Sequence, residues 1–455
     1  MAVNPITGGA VSKSAAAGCA ALVCLFVVSS ILGAGSAVLA EVRWNTVVGK
    51  VTVRAAQYPE ESDLEDRDYL LEAELELEIS AQLSDRWQLT MIPLLRGDAG
   101  NKTASEFRLV EDEALRPAAT FRELHLTYYG DSFELAVGKQ TFSWGTGDAV
   151  RPTDNLNPVD LLDLPTAEKI GVPALSIFWF GDKVDFEIVA LPFFVSDRLP
   201  GTRNRWAIVP DSIAEDFRRG FGFTPRLGDV ERSLLAHDLD NVQAGVRLSS
   251  SSLVTGWDLE LSAFRGFDPF GLLLSEIRPP FVDLTFVYPE FWEVGGAFST
   301  TQGRFEWHGE VALHQTVREE LDDDYLQYIF GFNYTISVGR PSLDRVLFGL
   351  EYLGEEVTRD HPTGGDLVQT GFDRVLTDTA VGRVVLSFSE RTRLEVGGTF
   401  NFADGGYLAR VAVRHTAFDA LEVQAGFDLL EGDMTSFYGN WDNNDRFFVF
   451  STYSF

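Results

Sequence analysis

Apolar and polar residues alternate with a period of two along most of this chain, and no other feature restricts its fold as strongly. In segment 71–79, leucine, alanine or isoleucine at each odd position alternates with glutamate at each even position. Segments 326–335, 407–414 and 421–428 repeat the alternation with other residues. Successive side chains of a strand point to opposite faces, so each segment has one apolar and one polar face. The glutamates of 72–78 would scatter around a helix, so the pattern predicts strands.

The number and spacing of these segments predict an all-β fold, a transmembrane antiparallel up-and-down β-barrel of about 16–18 strands. Short turns such as 84–85 alternate with long polar connections such as 197–239. Short periplasmic turns and long extracellular loops are typical of outer-membrane barrels. Pro289 interrupts segment 282–301, which is either one bulged strand or two shorter ones. A soluble sandwich or a β-propeller would also alternate, but long strands with aromatic residues at their ends favour the barrel.

Residues 1–40 have the organisation of an export signal. Lys13 precedes a run rich in Ala, Val, Leu and Phe, and small residues lead to Ala40. This pattern predicts a signal peptide cleaved near Ala40, with a membrane anchor as the alternative. Cys19 and Cys24 both lie inside the signal, so the predicted mature chain, 41–455, has no cysteine.

The charge and hydropathy of the chain exclude several classes of protein. Its net charge of −31 argues against a partner made of nucleic acid, which requires a basic face. No run of about twenty apolar residues follows the signal, which excludes a bundle of membrane helices. We therefore expect a protein of the Gram-negative outer membrane, in contact with lipid and lipopolysaccharide.

The C-terminal residues place aromatic and apolar side chains on one face. Phe447, Val449, Tyr453 and Phe455 share that face, and the chain ends on Phe455. A final barrel strand closes against the first, so its outer face contacts lipid. The pattern also resembles the C-terminal signal read by the barrel-assembly machinery, which we expect to be a partner. The oligomeric state does not follow from the sequence.

A motif follows the fifth predicted strand. It comprises Gly-Lys-Gln at 138–140, Trp-Gly at 144–145 and Asn-Pro-Val-Asp at 157–160. In this order the motif resembles a large family of uncharacterised proteobacterial outer-membrane barrels. That family is similar in plan to alginate-export-type porins, which are monomeric eighteen-stranded barrels. The resemblance implies the fold and the location, and it implies no substrate.

Two long connections, 145–171 and 197–239, are candidates for a constriction inside the pore. The alternative is that each is an ordered loop at the rim without a role in transport. Segment 229–238 is predicted to form a short helix, and Glu123 and Lys139 on neighbouring strands are predicted to pair. The candidate pore residues are Glu123, Lys139, Trp144, Asp148, Arg151, Asp154, Asn157, Asp160, Arg198, Arg203, Arg205, Arg218 and Arg219.

The polar faces of the strands predict the wall of the lumen. Lys50 and Arg54 on the first strand are expected to oppose a row of glutamates on the second. The surplus of acidic residues favours cations or neutral solutes. His308 and His314 share one inward face and are expected to form hydrogen bonds rather than bind a metal. The wall candidates are Glu72, Glu74, Glu76, Glu78, Arg410 and Arg414.

These features together predict a porin-like channel for passive diffusion of small hydrophilic solutes. The sequence contains no motif of a nucleophile, a phosphate loop or a zinc-binding helix, so we expect neither an enzyme nor a cofactor. The alternative is a barrel that holds a partner, either an export complex or an electron-conduit cytochrome. An outer-membrane enzyme is a third, weaker alternative.

Overall fold

The computed structural model describes residues 43–455 except 63, 101, 202, 208–225, 237–238, 279–280, 318–321, 361–376 and 434–435. Its main sheet contains 18 antiparallel strands that form a closed barrel. The strands are β1 (Arg43–Gln57), β2 (Tyr69–Ser84), β3 (Trp87–Asp98), β4 (Arg116–Tyr129), β5 (Phe133–Gln140), β6 (Val172–Trp179), β7 (Asp185–Leu191), β8 (Gln243–Ser250), β9 (Trp257–Phe267), β10 (Glu290–Gln302), β11 (Phe305–Thr316), β12 (Asp324–Arg340), β13 (Leu343–Arg359), β14 (Thr379–Ser387), β15 (Thr392–Asn401), β16 (Tyr407–Phe418), β17 (Leu421–Glu431) and β18 (Arg446–Ser454).

The barrel closes between its first and last strands. Each strand pairs with its sequence neighbour, and β18 pairs antiparallel with β1 from Lys50 opposite Ser454 to Gln57 opposite Phe447. Closure leaves no free edge, which is the condition for a sheet to span a lipid bilayer. The strand count and the antiparallel order confirm the fold predicted from the sequence.

The outer face of the barrel is apolar. Val47, Val294 and Phe447 are 65%, 60% and 62% exposed, and Phe455 is 59% exposed at the end of the chain. Exposed apolar surface of this extent is costly in water and favourable in lipid, so the strands cross the membrane. Among the described residues, no helix is long and apolar enough to cross a membrane.

The inner face carries the predicted charged ladder. Lys50 Nζ lies 2.7 Å from Glu76, and Arg54 lies 2.8 Å from Glu74 on the neighbouring strand. Cross-strand ion pairs of this kind contribute about 0.2–1 kcal/mol each. The prediction that β1 and β2 face each other through opposite charges is therefore confirmed.

The connections add a second, smaller sheet at the end of the barrel that carries the long connections, which we call the mouth. Strand Arg226–Arg232 pairs parallel with strand Phe281–Val287, which pairs antiparallel with strand Leu272–Arg278. The helix predicted for 229–238 is wrong, because its first residues belong to this sheet. Segment 282–301 is two strands, since Pro289 has no amide hydrogen and separates the mouth strand from β10.

Apolar side chains from the connections pack against the wall at the mouth. Trp206, Phe194 and Trp441 are buried together with the wall residues Leu430 and Phe448. The indole rings of Trp206 and Trp441 lie 5.8 Å apart. This apolar cluster fixes the connections over the lumen and so positions the segment described next.

Candidate functional site

The connection between β5 and β6, residues 141–171, contacts the inner wall on opposite sides of the barrel. We call it the inner segment. Its first half is held by carboxylates of the wall, and its second half is held mainly by basic side chains. The carboxylates that hold the first half lie on β7, β9, β11 and β13, whereas the wall arginines that hold the second half lie on β1, β4 and β18.

Wall carboxylates accept hydrogen bonds from successive backbone amides in the first half. Glu310 on β11 lies 2.6 Å from the nitrogen of Gly147 and also accepts from Thr146. Glu351 on β13 lies 2.7 Å from the nitrogen of Asp148 and 2.8 Å from that of Ala149. A carboxylate that accepts backbone N–H groups forms strong, directional hydrogen bonds. These contacts fix the path of the backbone across the lumen.

Gly145 allows the backbone to approach the wall this closely. Its φ of +77° lies in the left-handed region, and a Cβ atom there would be 2.4 Å from the carboxylate of Glu310. Gly145 also donates to Glu260 on β9, at 3.2 Å. Trp144 is buried beside it and donates its indole N–H to Glu187 at 3.0 Å. The Trp-Gly pair of the motif therefore anchors the start of the inner segment.

Asp148 joins a group of polar side chains on β11 to β14. Asp148 accepts from Asn333 at 3.0 Å and from Arg383 at 2.7 Å. Nε2 of His308 lies 2.7 Å from Glu351, so the expectation that His308 forms hydrogen bonds is confirmed. Ligand atoms of Asp148, His308 and Glu351 lie within 4.8 Å of one another. The same carboxylates already bind backbone amides and Arg383, so hydrogen bonding accounts for the group.

Basic side chains bind the acidic residues of the second half. Arg116 donates to Asp160 at 2.8 and 3.0 Å, and Arg198 donates to the same carboxylate at 2.5 Å. Arg54 and Arg122 donate to the two oxygens of Glu168 at 2.6 and 3.0 Å. The pairs of Arg54, Arg116 and Arg122 attach the inner segment to β1 and β4, and the pair of Arg198 attaches it to the 197–239 connection.

Two buried acids, Asp160 in the second half and Glu111 in the neighbouring β3–β4 connection, are stabilised in their charged form. Burial would raise the pKa of Asp160, but Arg116 and Arg198 hold it well below its usual range. Burial opposes ionisation of Glu111 in the β3–β4 connection as well. Lys139 and Arg198 overcome this effect and lower the pKa of Glu111 to about 2. The ion pairs therefore stay formed at neutral pH.

Asn157 braces the two ends of the inner segment. Its side-chain oxygen accepts from the nitrogen of Phe142 at 2.6 Å, and its amide donates to Ile170 O at 2.9 Å and to Gln140 O at 3.3 Å. Asn157 and the three residues that it binds, Phe142, Gln140 and Ile170, are all buried, so these backbone groups are shielded from bulk water. This bracing is a structural role for the Asn-Pro-Val-Asp part of the motif.

The structure brings most of the predicted pore residues together, with some corrections. Lys139 pairs with Glu111 at 2.8 Å and not with Glu123, which lies 3.5 Å from His125. The pairing predicted between Glu123 and Lys139 is therefore wrong. The reason is local, because Gly138 has a φ of +133° and redirects the side chain that follows it.

The arginines of the 197–239 connection do not act as one group. Arg198 binds Asp160 and Glu111, whereas Arg205 stacks on the ring of Tyr58, 3.6 Å from its centroid. Arg203 is exposed at the mouth. Arg218 and Arg219 lie outside the described residues. The three described candidates, Arg198, Arg203 and Arg205, thus do not form a cluster that faces acidic wall residues, because the partners of Arg198 are in connections.

The remaining predicted residues take the following positions. Arg151 donates to Gly147 O at 2.7 Å, and Asp154 pairs with Lys169 within the inner segment. On the wall, Glu72 binds Arg116, Glu76 binds Arg122, and Glu78 lies opposite Val48. Arg410 pairs with Asp428 and Arg414 with Glu422.

Several residues that hold the inner segment were not among the candidates for the site. Glu310 and Glu351 have the parity of inward residues, but parity does not reveal which connection they bind. Arg446 likewise has the parity of an inward residue, whereas Arg116 carries no local signal, and the partners of both are distant in sequence. Asp163 is likewise outside any motif, although it is fully buried.

Comparisons with known proteins give matches to solved outer-membrane proteins at low sequence identity. No family model matches the chain, and no curated protein matches it either. The OccK11 (OpdR) structure from Pseudomonas aeruginosa is 8% identical, with a TM-score of 0.49 over 90% of this chain and 95% of that one. A BenF-like porin from Pseudomonas fluorescens Pf-5 is 9% identical, with a TM-score of 0.47 over 92% of this chain and 99% of that one. The outer membrane protein OmpT of Vibrio cholerae is 10% identical, with a TM-score of 0.41 over 91% and 97% of the respective chains. The barrel itself is established by the strand pairing of this chain.

Proposed function

We propose that the protein is a porin-like channel of the outer membrane for passive diffusion of small hydrophilic solutes, and that the inner segment is its constriction. The observation that carries this proposal is the attachment of one segment to both sides of the wall. Glu310 and Glu351 hold its first half, and Arg54, Arg116 and Arg122 hold its second half. A segment fixed in this way narrows the lumen and leaves the barrel wall itself unchanged.

The alternative of a scaffold for an export complex or a cytochrome is less well supported. It requires a wide lumen that a partner can occupy. In the described part of the chain, the inner segment crosses that lumen, since it contacts Glu310 on one side of the wall and Arg54 on the other. We likewise propose that the protein is not an enzyme, since the charged side chains of the inner segment are paired with charged side chains around it.

The motif of residues 138–160 also belongs to this proposal. We propose that it marks the family of outer-membrane barrels that the sequence resembles, similar in plan to alginate-export-type porins. The support is that Trp144 and Asn157 seat the inner segment. Recognition of Phe455 by the barrel-assembly machinery and contact with lipopolysaccharide stay predictions.

Conductance of the purified full-length mature chain in planar bilayers tests the channel. The constriction is tested by the double variant Glu310→Gln and Glu351→Gln, which weakens the bonds to successive amides. We expect this variant to show a larger mean conductance and more current noise. Glu306→Gln is the matched control, because Glu306 lies on the inner face of the same strand and is exposed.

The two parts of the proposal fail separately. Absence of conductance in the wild-type chain, with the barrel folded, would overturn the channel. A conducting wild type whose double variant behaves like Glu306→Gln would overturn the constriction.

A further inference from the structure

A cavity of about 520 Å³ lies between the inner segment and the wall on the β14–β16 side. Val150 and Leu164 of the inner segment form one side of it, and Val381 and Leu408 of the wall form the other. Trp206 and Trp441 of the mouth cluster cover its outer end. We call this cavity the apolar chamber. It differs in chemistry from the ion pairs that hold the inner segment.

We infer that the apolar chamber binds small solutes that carry an apolar ring, and that it selects them among the hydrophilic solutes of the proposed channel. This inference rests on the proposed function. Ligand cavities typically measure about 300–1,000 Å³ and combine a mostly apolar lining with few polar groups. A cavity of about 150 Å³ holds one benzene molecule, so the chamber admits a substituted ring with room for its polar group.

The polar side chains of the lining are Asp197, Thr399 and Tyr438. Asp197 already accepts from Val159 N, and Tyr438 is hydrogen-bonded to Thr399, so the chamber offers few partners to a solute that presents only hydroxyl groups. A sugar requires a hydrogen-bonding partner for most of its hydroxyls, and unpaired polar groups cost free energy when they leave water. The apolar lining instead gains free energy when a ring displaces water from it.

On the side of the chamber that faces the short turns, the next inward residues of the wall are basic. Their pairing explains why we expect the ring of a solute, and not its charge, to decide its affinity for the chamber. Arg383 follows Val381 by two residues on the inner face of β14, and Arg410 follows Leu408 by two residues on β16. Both guanidiniums are already paired, Arg383 with Asp148 and Arg410 with Asp428. A charged group on the solute therefore competes with existing partners, whereas its ring meets an apolar surface.

Three single variants and one double variant define the chamber. Val381→Thr and Leu408→Asn keep nearly the same side-chain volume and place a polar group in the lining. Val385→Thr is the matched control, since Val385 lies four residues further along the same inner face of β14 and does not line the chamber. Migration of the unheated, folded barrel on a detergent gel shows that each variant is folded.

The measurement is the affinity of the full-length mature protein in lipid nanodiscs, by isothermal titration calorimetry, for benzenesulfonate and methanesulfonate. Both carry the same charged group, and only the first has a ring. We expect benzenesulfonate to bind at least about tenfold more tightly, and the double variant Val381→Thr, Leu408→Asn to lose about tenfold of that affinity. Val385→Thr is expected to bind like the wild type.

Three results would overturn the inference. They are equal affinities for the two sulfonates, binding of glucose as tight as that of benzenesulfonate, and a loss in Val385→Thr as large as in Val381→Thr. Conductance of the same preparation separates this test from that of the channel. A conducting protein without ring preference refutes the chamber alone, whereas a folded protein that never conducts refutes the channel.

Discussion

One guanidinium nitrogen of Arg446 lies 2.7 and 3.0 Å from the two carboxylate oxygens of Asp163, although 283 residues separate the two in the chain. Neither side chain is exposed. Arg446 also donates to Asp428 on β17 at 2.7 Å. The last strand of the barrel is thereby joined to the inner segment by a buried ion pair.

Removal of this guanidinium is expected to destabilise the protein strongly. Arg446→Met leaves Asp163 buried without its main counter-charge and leaves Asp428 paired with Arg410 alone, which costs about 3–5 kcal/mol. The double variant Arg446→Met, Asp163→Asn is expected to recover part of that loss, because one uncompensated charge is gone. The free energy of unfolding in urea, followed by tryptophan fluorescence, measures both. If the double variant loses as much free energy of unfolding as Arg446→Met and Asp163→Asn lose together, the two residues are not coupled.

Gly145→Ala is expected to release the first half of the inner segment. Its Cβ would lie 2.4 Å from Glu310, so the contact breaks in addition to the backbone strain at a φ of +77°. Gly405→Ala is the control, since Gly405 has the same φ of +77° and nothing within 4 Å. We expect the strain alone to cost about 1–2 kcal/mol at Gly405. Amide exchange of residues 145–149 should accelerate in Gly145→Ala and stay unchanged in Gly405→Ala.

Asn157→Ala is expected to cost about 1–3 kcal/mol for each backbone group that it leaves buried without a partner. Asn157→Asp should be worse, because a carboxylate would face Ile170 O and Gln140 O. Asn155→Ala is the control, since Asn155 makes a local hydrogen bond to Pro152 O. The midpoint of thermal unfolding compares the three variants. Equal midpoints for the changes at positions 155 and 157 would contradict a bracing role.

The attachment of the inner segment near Val159 is expected to weaken as pH rises. Burial raises the pKa of Asp197 to about 8, although its hydrogen bond from Val159 N opposes the shift. The folded state therefore keeps a proton that the unfolded chain releases near pH 4, so stability falls as pH rises between these values. Local opening that exposes Asp197 should become up to about tenfold more favourable per pH unit in this window.

Hydrogen exchange of residues 159–162 at pH 6 and pH 7.5 measures this effect. Asp197→Asn is the control, because it keeps an oxygen that accepts from Val159 and does not titrate. At each pH, the ratio of wild-type to variant exchange removes the intrinsic pH dependence. A constant ratio across the two pH values would refute the titration of Asp197.

The sequence predicts the barrel more completely than it predicts the contents of the lumen. Alternation in segments such as 71–79 depends on which face of one strand meets lipid, a local property that periodicity reveals. The bonds from Glu310 to Gly147 and from Arg446 to Asp163 depend on how a connection folds back across the barrel. Their partners lie 163 and 283 residues apart, and no local pattern encodes such distances. Lys139 is a local example of a partner that the strand pattern does not predict. The left-handed backbone at Gly138 changes the partner of Lys139, which follows it.

The closure of β18 against β1 has a consequence for the order of biogenesis. The inner segment is translated well before the final strand, yet the guanidinium that neutralises Asp163 arrives only with that strand. Until then Asp163 lacks its partner, and the sheet still has two open edges. Insertion of the last strand therefore closes the barrel and supplies the partner of Asp163 in the same step. A nascent barrel that stops before this step still has two open edges and lacks the buried ion pair.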